Sequence, residues 1–280
     1  MTENTQTRPR TWLITGATSG IGRELATQAL DAGENVAALA RSTAALEELR
    51  TAHPDRLLLI DTDVRDQAAV TAAVAQAVDR FGGLDVVSNN AGYGLFGAVE
   101  EATDEQARAI FDTNVFGVLN VLRAALPVLR AQGSGHVFQG SSLYGQSAHS
   151  GVGLLAATKY AVEGLSDALA DELAPLGIKV TMVQPGPTAT AFLGNLDIAA
   201  AIPDYDRTVR EVQKAIGAQP VTAFASPARI AAGIRAAAAS DTPPLRLALG
   251  ISGADAMRTA LTARLADLDA WAETTRAVDA

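Results

Sequence analysis

Trp12-Leu13-Ile14-Thr15-Gly16-Ala17-Thr18-Ser19-Gly20-Ile21-Gly22 is an apolar run that empties into a glycine turn and then into a helical pattern. Glycines at 16, 20 and 22 allow a tight turn and let the backbone approach a pyrophosphate, which then rests at the positive end of the following helix. Strand, glycine turn and helix in this order open a βαβ unit of the dinucleotide-binding kind. The turn predicts cofactor contacts from Gly16, Thr18, Ser19, Gly20, Ile21 and Gly22.

Outward from this turn, short β-type runs alternate with longer helical patterns as far as about residue 250. Strands are expected near Trp12 to Thr15, Asn35 to Ala40, Leu57 to Ile60, Val86 to Ser88, His136 to Gly140, Lys179 to Val183 and Leu245 to Leu249. Helices are expected to start near Gly20, Thr43, Gln67, Asp104, Gly153 and Pro227. Repeated βαβ units give an α/β fold, a doubly wound, Rossmann-type parallel sheet of seven strands with helices on both faces. Ligands bind such sheets beyond the carboxyl ends of the strands, where the strand order reverses. Residues 187–220 break the rhythm with Pro187, Gly194, Pro203, Gly217 and Pro220, and are expected to form a helical lid over the site. Residues 1–10 read as a flexible arm and 11–280 as one domain, since no linker or repeat marks a second. The Ala-rich segment from Ala231 to Ala239 is helical by propensity and carries no function.

Composition narrows the function. A chain of 280 residues, 48% hydrophobic, can bury a full core. A net charge of −9 argues against nucleic acid or an anionic membrane as partner, because both reward clustered Lys and Arg, so a small molecule is the expected substrate. Without cysteine there are no disulfides, thiolate nucleophiles or Cys-ligated metals, and no metal site is expected. The polar start, ending in Arg8, Pro9 and Arg10, lacks the apolar core of a signal peptide. The apolar stretch around Val118 to Leu129 is broken by Asn120, Arg123 and Pro127, so the expected location is cytoplasmic.

About twenty residues past the glycine turn, a carboxylate ordinarily holds the ribose hydroxyls of NAD. Here the second strand ends in Ala40 followed by Arg41 and Ser42. A guanidinium without a carboxylate suits a phosphate, so NADP(H) is expected over NAD(H). Asp63 and Val64, after the third strand, either meet the adenine or, for Asp63, cap a helix.

These segments resemble the short-chain dehydrogenase/reductase family. Thr15 to Gly22 is similar to its glycine motif, Asn89-Asn90-Ala91-Gly92 to the element after its fourth strand, Asp63-Val64 to its adenine-contacting pair, and Pro185-Gly186 with Thr190 to its nicotinamide-contacting turn. The similarity covers roughly residues 10–195 and implies NAD(P) binding, a Rossmann-type domain and a homodimer or homotetramer. It also implies a catalytic tetrad of Asn, Ser, Tyr and Lys. Asn114 matches the Asn that organises a water chain to the lysine, or else is a buried Asn satisfied by backbone groups. Ser142 matches the serine that bonds the substrate oxygen, with Ser141 the alternative by one position. Lys159, one of three lysines against 19 arginines, matches the lysine that holds the ribose and lowers the tyrosine pKa.

The tyrosine belongs four residues before that lysine, one turn away on the same helix face. Counting back from Lys159 gives Leu155. Leucine has no proton to give, and loss of a positioned acid slows a reaction by about 10²- to 10⁴-fold, roughly 3 to 5 kcal/mol. Three substitutes present themselves: Tyr144, two residues past Ser142; His149 in the same loop; or water ordered by Lys159 and Ser142. Tyr160 lies about 140° around the helix from residue 155 and is expected to face the core. Tyr93, Leu154 and Leu155 are expected to line the substrate pocket. An oxidoreductase of a small carbonyl or alcohol with an unorthodox proton source is the leading function. A non-redox cyclase, isomerase or dehydratase on the same scaffold, and a non-catalytic NADP(H)-binding protein, are the alternatives.

Overall fold

The computed structural model describes residues 8–189, 196–220 and 224–279. Seven parallel strands form its sheet: β1 (Thr11–Thr15), β2 (Asn35–Ala40), β3 (Leu57–Asp61), β4 (Val86–Asn89), β6 (Gly135–Gly140), β7 (Ile178–Pro185) and β9 (Arg246–Leu249). β5 (Leu95–Phe96) and β8 (Asp197–Ile198) pair apart from them. The sheet order is β3-β2-β1-β4-β6-β7-β9, which reverses between β1 and β4 and opens a crevice there. Each expected strand is present within about three residues of its place.

Alternation along the strands feeds two separate cores. Trp12, Ile14 and Phe138 point to one face, where they pack with Leu25 of α1 (Gly20–Asp31) and Ile230 of α8 (Pro227–Ala238). Leu13, Leu39 and Val137 point to the other, against Val74 of α3 (Gln67–Phe81), Val121 of α5 (Gly117–Gln132) and Val162 of α6 (Gly153–Leu173). Strands covered on both faces need apolar residues at nearly every position, as β1 and β2 have.

Several elements differ from expectation. The helix expected at Thr43 shrinks to a 3-10 turn and the six residues of α2 (Glu47–Ala52). Asp61 accepts bonds from both the backbone N and Oγ1 of Thr43, and Pro54 disfavours helix at His53. The segment from Asp104 is one apolar helical rod to Gln132, long enough by composition to cross a membrane. It runs as α4 (Asp104–Phe111), a π-helical turn over Asp112–Phe116 and α5, whose buried side lies on the sheet. The lid segment contains a π-helical turn (Asp206–Arg210) and α7 (Glu211–Gly217), anchored where Arg210 donates to the buried Glu101. Gly194 lies outside the described residues. The arm is held at its end, because Arg8 pairs with Asp85 at 2.6 Å and Arg10 reaches Glu34. Past residue 250 the chain continues unexpectedly as α9 (Ile251–Ala270) and α10 (Ala272–Ala277). Gly253 and Met257 seat the start of α9, whereas Leu261, Leu265, Leu268 and Trp271 are exposed.

Candidate active site

The glycine turn and the loop after β4 close on each other at the β1/β4 crevice. Thr15 ends β1 fully buried, donating its hydroxyl proton to Ser88 O and accepting from the backbone N of Asn90 and of Ala91 at 3.0 Å. The Asn90 amide returns to Thr15 O and Gly16 O. Gly16 has φ +64°, and a Cβ on Gly22 would fall 2.4 Å from Gly16 O, so the turn and helix approach as only glycine permits. Ser19 makes no side-chain cap to α1, and the first turn holds no acid. Ile21 packs against the core beside Trp12 and Leu25. The free N–H groups of a 12-residue helix facing this crevice fit a pyrophosphate.

Arg41 is exposed past the end of β2, and no hydrogen bond or ion pair engages its guanidinium among the described residues. Asp63 is not a helix cap: that place belongs to Asp66, whose carboxylate accepts from Ala69 N at 3.0 Å. Asp63 instead pairs with Arg65 at 2.6 Å, which lowers the carboxyl pKa. Val64 is buried with its Cγ2 2.7 Å from the place a Cβ on Gly117 would take. Its carbonyl accepts from Asn120, so α5 fixes this loop.

The catalytic candidates converge on the N-terminal turns of α6. Lys159 Nζ donates to Gly140 O at 2.7 Å, and burial lowers its pKa to about 8. A Cβ placed on Gly92 would lie 3.7 Å from that Nζ and 3.0 Å from Asn114 Oδ1, which puts both groups on the same cleft. Asn114 sits in the π-helical turn, 1% exposed, with Oδ1 accepting from Tyr93 N and Nδ2 donating to Tyr93 O and Thr158 Oγ1. Its side chain is thus spent on tying the rod to the loop after β4 and to α6. π-Turns recur at functional sites because they displace helix groups from the regular ladder.

The two serines separate cleanly. Ser141 is buried and donates to Glu163, which also accepts from Gln146 at 2.8 Å, Gln184 at 2.9 Å and Arg246 at 2.9 Å. Ser142 is half-buried, and no hydrogen bond engages its hydroxyl among the described residues. Leu155, 4% exposed, packs with Leu95 and Ile110, and Tyr93, Leu154 and Tyr144 lie against this cluster. Tyr144 also meets His149, its hydroxyl 2.8 Å from Nε2. Tyr160 does not face the core: it is half-buried under the Arg264 guanidinium of α9, 5.0 Å from the ring centroid. A cavity of about 460 Å³ reaches this loop at His149 and α6 at Gly153, walled also by Val99, Glu100, Tyr205 and Val209; Tyr93, Leu154 and Leu155, expected to line the substrate pocket, pack into the neighbouring apolar cluster and do not line it. Pro185 closes β7, and Gly186 N donates to Leu249 O, so both reach the carboxyl end of the sheet; Thr190 lies outside the described residues.

Thr15, Arg65 and Glu163 were not among the residues expected from sequence. Glu163 carried a signal, an acid four residues past Lys159 on an otherwise apolar helix face.

The short chain dehydrogenase family profile matches residues 10–200. The chain belongs to the short-chain dehydrogenase family. This short-chain dehydrogenase is 34% identical over 264 residues to the oxidoreductase BOA17 of Botryotinia fuckeliana, covering 94% of its own length and 96% of that protein. A short-chain dehydrogenase from Streptomyces avermitilis shares its structure with TM-score 0.91 and 40% identity, over 97% of this chain and 100% of that one. An alcohol dehydrogenase from Thermococcus sibiricus, complexed with 5-hydroxy-NADP, superposes with TM-score 0.71 at 26% identity, over 86% and 95% of the two chains. This short-chain dehydrogenase is an NAD(P)-dependent oxidoreductase with a Rossmann-type fold.

Proposed function

We propose that this chain is an NADP(H)-dependent oxidoreductase acting on a small carbonyl or alcohol, with its proton donor somewhere other than position 155. The observation that supports the reading is Lys159 Nζ and Asn114 Oδ1 beside Gly92, with Lys159 held on the Gly140 carbonyl two residues before the unengaged Ser142 hydroxyl.

The glycine turn, Asn90, Ala91, Gly92, Pro185 and Gly186 would hold the cofactor, with Asp63 and Val64 at its adenine and Thr190 at the nicotinamide. When bound, the nicotinamide supplies or takes up a hydride. Ser142 donates to the substrate oxygen and orients the carbonyl. Lys159, anchored on Gly140 O, presents its remaining protons to the ribose and adds positive charge where an oxyanion develops. Arg41 binds the 2′-phosphate that distinguishes NADP, as a free guanidinium can. Leu155, buried with Leu95 and Ile110, fills position 155 with hydrocarbon and keeps water from it. Cytoplasmic location and association into a homodimer or homotetramer complete the reading, and the exposed apolar residues of α9 support the association.

The test is NADPH oxidation across ketones and aldehydes, with the original chain beside Leu155→Tyr and Arg41→Ala. We expect slow turnover by the original chain and a gain of about 10²-fold or more for Leu155→Tyr. Arg41→Ala should weaken NADPH binding by about 10- to 100-fold, the worth of a charged hydrogen bond, and leave NADH unchanged. The apolar packing at residue 155 also suits a non-redox enzyme. Substrate conversion without cofactor turnover would establish that reading instead.

A further inference from the structure

We propose that Tyr144 is the acid–base group of this active site and that His149 is the relay that recharges it from solvent. The inference rests on the reductase reading above and names the donor that reading leaves open.

Tyr144 stands on a 3-10 turn, Leu143–Gly145, that begins at Ser142 and is closed by Gly145 N donating to Ser142 O at 2.9 Å. Its ring packs against the cluster of Leu95, Ile110 and Leu155, and against that of Phe96 and Val152. A phenol therefore reaches the neighbourhood of residue 155 from a different element. The polar end of that ring meets His149, with the two rings edge-on, 5.2 Å apart at 78°.

The His149 tautomer follows from its second bond. Nδ1 lies 2.9 Å from Ser150 O, and a carbonyl only accepts, so Nδ1 carries a proton. In the neutral ring Nε2 is then bare, and Tyr144 donates to it. In the imidazolium Nε2 carries a proton that points at the phenol oxygen, which frees the Tyr144 proton for another acceptor. His149 is exposed on the cavity wall, whereas Tyr144 is half-buried. One end of the pair is wet and the other packs against the Leu95, Ile110 and Leu155 cluster. Burial also pushes the Tyr144 phenol pKa up, so a phenolate formed there needs a proton source close by.

Reduction then balances as follows. Hydride adds to the carbonyl carbon, the C=O π pair moves to oxygen, and that oxygen takes the Tyr144 proton. Tyr144 takes the Nε2 proton of His149, and His149 takes one from water. The substrate gains two electrons and one external proton, and the dihydronicotinamide is oxidised. Alcohol oxidation runs the chain backwards and requires neutral His149. The titratable groups facing His149 are Tyr144 and, across the cavity, Glu100 and Tyr205.

The experiment compares the full chain with Tyr144→Phe and His149→Gln, each checked for NADPH binding by fluorescence. We expect Tyr144→Phe to lose about 10²- to 10⁴-fold in kcat/KM with NADPH bound as before. His149→Gln should lose less, with NADPH bound as before. In the cofactor-free protein, ¹⁵N resonances of the chain's three histidines should show His149 as the Nδ1–H tautomer, with its Nε2 resonance displaced in Tyr144→Phe. An active original chain matched within about twofold by Tyr144→Phe overturns the proposal alone. So does an Nε2–H tautomer at His149. An original chain that binds NADPH and reduces no carbonyl overturns the reductase reading, and this proposal with it.

Discussion

Lys159 donates to the Gly140 carbonyl, and burial holds its pKa down to about 8, below the ordinary ammonium range. Its positive charge is present below that pH and is lost as the pH rises through it. NADPH affinity should therefore weaken above about pH 8, whereas Lys159→Met should bind weakly and without that dependence; calorimetric titration at several pH values measures both. Gly22→Ala should also impair the site, because a Cβ there would meet Gly16 O at 2.4 Å. Overpacking of this kind costs about 1 to 3 kcal/mol, visible as a lower Tm together with weakened NADPH binding. Much at this scale could be read from sequence, since glycine spacing and the count from Lys159 to Leu155 are local properties of the chain. What was not legible depended on closure. Ser141 and Ser142 are equivalent in sequence until Glu163, twenty-two residues on, takes Ser141 and leaves Ser142. Tyr144 and His149 likewise appeared as rivals, because nothing in their spacing says that the loop folds them into one bond.

Strand β6 carries the element-scale prediction. Its His136 is buried against Phe138, with Nε2 2.9 Å from Thr181 Oγ1 on β7, and burial lowers its pKa to about 3. In the unfolded chain an imidazole takes up its proton near pH 6.5. Between those two values the unfolded state binds the extra proton, so stability falls as the pH is lowered through that window, by about 1.4 kcal/mol per unit at most. Thermal melts from pH 7 to pH 4 should show this slope, and His136→Gln should flatten it. Glu163 on α6 makes a second prediction: with four partners, two of them from β7 and β9, Glu163→Ala should destabilise the fold by about 3 kcal/mol. Denaturant titration measures the loss. β1 and β2 were readable because both faces of each are apolar. The helix at Thr43 was overestimated because its Asp61 partner lies on another strand, and the π-helical turn around Asn114 leaves no mark in hydrophobic spacing.

Across the whole molecule, the order of the seven strands reverses between β1 and β4 and opens the crevice at the carboxyl ends of the strands, where the candidate groups among the described residues gather. α9 is the exception to that economy, leaving its body after Met257 with Leu261, Leu265, Leu268 and Trp271 exposed. Light scattering coupled to size exclusion should return a mass of two or four chains, and a monomer would end the oligomeric reading. Glu163 joins Ser141, Gln146, Gln184 and Arg246, and so fixes the strand end that presents Ser142. None of those bonds passes through Leu155. Position 155 is therefore no strut of the polar frame: a side chain exchanged there disturbs the Leu95 and Ile110 packing and leaves the bonds that hold the Ser142 strand end in place.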